Sequence, residues 1–174
     1  MAPEVLPMSL NFISPADPDQ GLFDVIETAL EASGWQFERD GQEAVHCIAP
    51  TRWGEMGGLF ACRRMPSAVH FSLTVDAKPQ PARRAVISEL IIMMNERLWL
   101  GHFDFWVDDN VIIFRHALPL ADRMYPTSGE ISATLAAGLE AIDRFVPAFN
   151  FVIWAGKTPA EAIDAVMFET DGEA

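Results

Sequence analysis

Six side chains have the chemistry to hold a metal ion: His46, Cys47, Cys62, His70, His102 and His116. Zinc sites built within one stretch of chain use Cys-x-x-Cys pairs or histidines one helical turn apart, and neither spacing occurs here. A site would have to be assembled from separate strands, and the neighbours His46 and Cys47 point to opposite sides of any strand that carries them. The histidines therefore read as structural, and no metal or other cofactor is expected. Cys47 and Cys62 are symmetric about Gly54-Glu55. If two strands pair about a turn there, the thiols become cross-strand neighbours, either as two small core residues or as a redox-responsive pair.

The remaining chemistry is sparse. Ala155-Gly156-Lys157-Thr158 ends like a phosphate-binding loop, but the first glycine of that motif would stand where Phe151 does, and Pro159 removes an amide from the helix start. Lys157 reads instead as a loop residue before a capped helix. No Gly-x-Ser-x-Gly elbow is present. His102 and Asp104 lie on or beside one hairpin with Asp108 and Asp109, as acid-base groups without a locatable nucleophile, and Asp108-Asp109-Asn110 is ordinary turn chemistry. No enzyme is expected.

Charge argues in the same direction. The formal charge is −13, and a surface so acidic repels phosphate backbones and anionic lipid, which excludes nucleic acid and membrane surfaces as expected partners. Half the residues are hydrophobic, enough to bury a core. The charge divides as −8 over residues 1–62, +3 over 63–97 and −8 over 98–174. The basic middle holds Arg63, Arg64, Arg83 and Arg84, either as solvated side chains or as the grip on an acidic partner segment. Met1–Pro18 carries four prolines, an early Glu4 and no basic residue, unlike a signal peptide. The longest apolar run, Phe145 to Gly156, is broken by Pro147 and Asn150 and is far short of the roughly 20 residues of a spanning helix. A cytoplasmic protein is expected.

The elements that must position these residues follow from periodicity. Residues 1–17 read as a flexible tail and 18–174 as one domain. Asp17-Pro18 opens a helix over 18–33 carrying Leu22, Phe23, Ile26 and Leu30, and Gly34 stops it. Trp35 to Arg39 and Ala44 to Ala49 form a hairpin about Asp40-Gly41. After a stretch rich in turn residues at Gly54, Gly57 and Gly58, Leu59 to Cys62 forms a short apolar strand, with boundaries between 42 and 66 left open. Val69, Phe71, Leu73 and Val75 then alternate with His70, Ser72 and Thr74, so the first set faces a core and the second faces away. A helix over 82–100 carries one apolar stripe, Val86 to Leu98, and a second made of Ile92, Met93 and Trp99. That excess means burial on two sides or a surface shared with another subunit. His102–Val107 and Val111–Leu118 make a hairpin. Thr127-Ser-Gly-Glu130 opens a long helix that Pro147 should kink or end, and Thr158-Pro-Ala-Glu161 opens a last short one. The order reads as an α+β domain with a mainly antiparallel sheet and helices packed on one face.

Four segments carry a resemblance: Arg52-Trp53-Gly54-Glu55, the run Asn95 to Asp104 (NERLWLGHFD), Phe114-Arg115-His116, and the run Pro147 to Ala162 (PAFNFVIWAGKTPAEA). Together they resemble the YbjN-domain family of bacterial proteins, labelled sensory transduction regulators. The resemblance implies a fold like that of type III secretion chaperones, a twisted antiparallel sheet backed by helices in chains that commonly dimerise. It brings no catalytic residues. It is consistent with a protein-binding regulatory module acting as a homodimer on an unidentified protein partner, with Ile92, Met93, Trp99, Trp106 and Trp154 as dimer or pocket surface. The alternative is a small-molecule sensor with a pocket between sheet and helices lined by Phe71, Trp106 and Trp154.

Overall fold

The structure is a computed structural model and describes residues 18–41 and 43–171; the expected tail and the Asp17 cap lie outside them. Four helices, α1 (Pro18–Ala32), α2 (Arg84–Asn95), α3 (Ser128–Ile153) and α4 (Pro159–Asp171), accompany six strands: β1 (Gln36–Asp40), β2 (Ala44–Thr51), β3 (Gly54–Arg64), β4 (Ser67–Val75), β5 (His102–Trp106) and β6 (Val111–Pro119). The strands form one antiparallel sheet in the order β1-β2-β3-β4-β6-β5. This is the expected α+β class and element order.

Register decides what each face carries. Cys47, Gly58, Leu73, Phe114 and Phe103 align across β2 to β5 and face the helices. There they join Phe23, Ile26 and Leu30 of α1 and Ile142, Phe145 and Phe149 of α3 in a continuous buried core. Phe103 packs edge-on against Phe114, Phe145 and Phe149. α3 lies across β2, β4 and β6, α1 across β1 and β2, and α2 against β5, while α4 packs on α2 and α3. Glycine at 138 allows the close approach of α3, because a Cβ there would stand 2.8 Å from a ring carbon of Phe71.

Three expectations are corrected. First, the glycines at 54, 57 and 58 lie inside β3, and the turn is Arg52-Trp53, closed by the pair Thr51 and Gly54. Cys47 therefore faces Gly58, and Cys62 faces Val69 on β4, four residues further along β3. At about 3.4 Å per residue this separates the two cysteines by roughly 14 Å, which removes the redox pair. Burial pushes the Cys47 thiol up to about 12.

Second, α2 stops at Asn95 rather than at residue 100, because the Asn95 side chain turns back onto β5. Its Oδ1 accepts from the Phe103 N–H at 2.8 Å and its Nδ2 donates to the Phe103 carbonyl at 3.0 Å. Third, α3 runs through Pro147 without a break. Proline has no N–H for the carbonyl four residues back, which is that of Asp143. The Trp53 indole supplies the missing donor, with its Nε1 2.9 Å from the Asp143 oxygen, and the Arg52 N–H donates to the Asp143 carboxylate at 2.7 Å. The β2–β3 turn thus completes the hydrogen bonding of a helix distant in sequence. Trp53→Phe should cost about 1 kcal/mol in denaturant unfolding. In a Pro147→Ala background, where an N–H returns to the helix, the same change should cost measurably less; equal costs would refute the link.

Both capping boxes are formed as read. Thr127 and Glu130 exchange bonds at the start of α3, and Thr158 and Glu161 do so at the start of α4. Arg123 grips both oxygens of Glu130 at 2.8 Å and, with the Thr127 N–H, holds that carboxyl down to about 2.

Candidate functional site

The sheet face turned away from the helices is the candidate site. Across it run Glu38, His46, Leu59, Ser72, Arg115 and His102 in one row, then Ile48 beside Gly57 and Thr74-Ile113-Asp104 in the next. No helix among the described residues covers these positions. The face is concave, with a hollow of about 490 Å3 whose walls include Ile48, Leu59, Thr74, Trp106 and Val111. Ile113 forms its base and is buried although it belongs to this face. At Gly57 a Cβ would meet nothing within 4 Å, so the chain here leaves the backbone open to an occupant.

Trp106 is fixed in place rather than loosely exposed. Its indole Nε1 donates to Asp104 Oδ2 at 3.2 Å, the same oxygen accepts from Arg115 at 3.1 Å, and Asp104 Oδ1 accepts from the Phe105 N–H at 2.9 Å. A side chain so held presents its ring with little loss of rotamer freedom on binding. Burial lowers the His70 pKa, and Arg115, His102 and His116 lower it further; burial followed by His102 does the same for His116 on the core face. His70 lies outside the hollow, whose lining is mostly apolar and includes His46 and Asp109.

The residues singled out by sequence fall into separate places. Arg63 and Arg64 end β3 beside the start of β4, whereas Arg83 and Arg84 lie beyond its far end, Arg84 Nη2 being 3.4 Å from Asn110 Oδ1 in the β5–β6 turn. The length of β4 separates the two pairs, so they form no single basic surface. Ile92 and Trp99 stand exposed, Trp99 at 99%, while Met93 packs against the core. Phe71, Trp106 and Trp154 line no common pocket: Phe71 is in the core, Trp106 lies on the helix-free face, and Trp154 is exposed at the end of α3.

Asp104 is committed to Arg115 and Trp106, not to His102. Lys157 lies over the Phe151 ring, 4.8 Å from its centre. Among the described residues no three of His, Cys, Asp or Glu converge as metal ligands, and no helix is long and apolar enough to cross a membrane. Sequence reasoning missed Ile48, Gly57, Val111 and Ile113 as one surface; the available signal was the outward set of β4, His70, Ser72 and Thr74, which marks the same face.

No curated protein matches the chain. Among solved structures it is similar to E. coli YbjN, described as "a putative transcription regulator", at 15% identity and a TM-score of 0.48, over 69% of this chain and 84% of that one. The family model for YbjN, described as "Putative bacterial sensory transduction regulator", matches residues 22–151, which include the Arg52-Trp53 turn, the Asn95–Asp104 run and the Pro147 site. With that match spanning most of its length, the chain belongs to the YbjN family.

Proposed function

We propose that the protein is a non-enzymatic cytoplasmic regulatory module that binds another protein by receiving an extended apolar segment on the helix-free face of its sheet, and that it works as a homodimer. The observation that carries this reading is the mostly apolar hollow of about 490 Å3 walled by Ile48, Leu59 and a hydrogen-bonded Trp106, with Asp109 the one acid in its lining. Size favours a segment over a globular surface. Six strands about 4.8 Å apart with ladders of five to eight residues give a face on the order of 500 Å2, below the roughly 800 Å2 per partner of a standard interface. Ile92, exposed on the outer side of α2, supports the shared-subunit part of the reading.

Gly57→Val tests it. The added side chain has open space and no strained φ, so the variant should fold while filling the hollow. With a photo-crosslinking residue in place of Val111, a specific crosslinked protein is expected from the native cells, reduced about tenfold or more by Gly57→Val or by Trp106→Ala. A yield unchanged by both variants would overturn the reading. A small molecule that copurifies with the native chain and is lost from Gly57→Val would reassign the face to a ligand sensor. Light scattering at micromolar concentration tests the dimer separately; a monomer removes that part alone.

A further inference from the structure

On the other side of the sheet, the outer surface of α3 holds an arginine with no acidic partner. Arg39, Arg115 and Arg123 each reach a carboxylate. Arg144 reaches none among the described residues, although the chain has 25 acidic groups. Its Nε is buried without a hydrogen-bond partner, its Nη2 meets only the Met167 sulfur at 3.0 Å, and its guanidinium lies 5.2 Å from the Phe145 ring centre. With only a weak sulfur acceptor on Nη2 and no carboxylate among the described residues, the terminal nitrogens of this guanidinium keep donors for a ligand.

Arg144 lines a pocket of about 360 Å3 whose opposite wall is the α2–β5 loop, with Arg97 and Trp99. Arg97 is bonded to the Met93 carbonyl and is 3.7 Å from Glu96, leaving donors of its fork to spare. The loop is anchored at both ends, by the Asn95 clasp on Phe103 and by Gly101 packed against Phe114, yet Trp99 is 99% exposed. A large aromatic held out on an anchored loop that lines the same pocket as two guanidinium groups suits a planar anion on a flat apolar body, since the fork matches a carboxylate and the indole can stack on the body. Exposed Glu140 also lines the pocket. One opposing carboxylate beside two cations favours a single negative charge over a doubly charged phosphate.

We propose that this pocket binds a carboxylate carried on an aromatic or apolar body, either a free aromatic acid or the C-terminal carboxylate of a peptide. The probes are phenylacetate, phenylphosphate, and a short peptide ending in Leu-Phe with a free or an amidated terminus, followed by indole fluorescence in the intact chain against Trp99→Phe. Phenylacetate or the free-terminus peptide should bind, and which of them binds more tightly assigns the source. Arg144→Met, which keeps an apolar stem against Phe145 and Met167, should weaken binding about tenfold. Glu140→Gln should tighten it about two- to threefold, a gain that loss of folding cannot mimic. Should Arg144→Met not fold, Arg97→Gln and Glu140→Gln decide. Absence of carboxylate binding, affinity unchanged in Arg97→Gln and Arg144→Met, or tighter binding of phenylphosphate would overturn the assignment. The pocket lies across the sheet from the helix-free face, so either outcome leaves the function proposed above to its own test.

Discussion

Gly101→Ala is expected to remove about 2–4 kcal/mol of stability, a large share of the roughly 5–15 kcal/mol that holds a domain of this size. Two costs add. The backbone at Gly101 has φ +70°, a region that an L side chain enters at about 1 kcal/mol. The new methyl would also stand 2.3 Å from Phe114 Cζ and 2.9 Å from the Arg115 carbonyl oxygen, and forcing a methylene into a packed core costs about 1–3 kcal/mol. Gly34→Ala separates the two costs, since Gly34 has φ +71° with nothing within 4 Å of a Cβ; it should lose only about 1 kcal/mol. Phe114→Leu removes the ring carbons that the methyl meets, so in denaturant unfolding the double variant Gly101→Ala with Phe114→Leu should be less destabilised than the sum of its singles. Strict additivity, or a Gly101→Ala variant no worse than Gly34→Ala, would show that the loop simply moves aside.

The sequence signals that succeeded are local. Alternation in β4 assigns Val69, Phe71, Leu73 and Val75 to the core, and the Thr127–Glu130 and Thr158–Glu161 boxes start α3 and α4 because capping spans a single turn. Failures fall where a distant residue decides. Apolar letters continue past Asn95, but α2 ends because Asn95 binds β5. From sequence Pro147 should kink or end α3, but the helix continues, and Trp53, 94 positions earlier, occupies the carbonyl it leaves open. Gly57 and Gly58 suggested a turn because glycine usually punctuates chains. Gly58 instead lies within β3, where a Cβ would come 2.7 Å from Cys47 Sγ, while Gly57 opens the helix-free face. The candidate face was legible in one strand only; its hollow depends on how six strands align, and no single segment records that. The four arginines were grouped by nearness along the chain, and the length of β4 then separated them.

Asn95→Ala should cost about 2–3 kcal/mol and, more distinctively, should make the protein self-associate. β5 is an outer strand of the sheet, and an outer strand presents N–H and C=O groups that recruit another strand. The Asn95 amide occupies both groups of Phe103, accepting at 2.8 Å and donating at 3.0 Å, and Asp104 Oδ1 occupies the Phe105 N–H. One side chain thus stands where a neighbouring strand would be. Alanine leaves a half-buried donor and acceptor unmatched, which gives the stability loss, and bares the edge between them. Asn95→Asp keeps the acceptor but sets a carboxylate against the Phe103 carbonyl. It should therefore be no more stable than the alanine variant, while its charge holds a second edge away. Denaturant unfolding with light scattering separates the two consequences. If Asn95→Ala loses stability without associating, the clasp serves only to end α2; if it loses neither, the two bonds to Phe103 are incidental to the fold. At the opposite edge β1 carries Glu38, Arg39 and Asp40 in five residues, so that edge is guarded by charge, and only β5 depends on a clasp that one substitution can open.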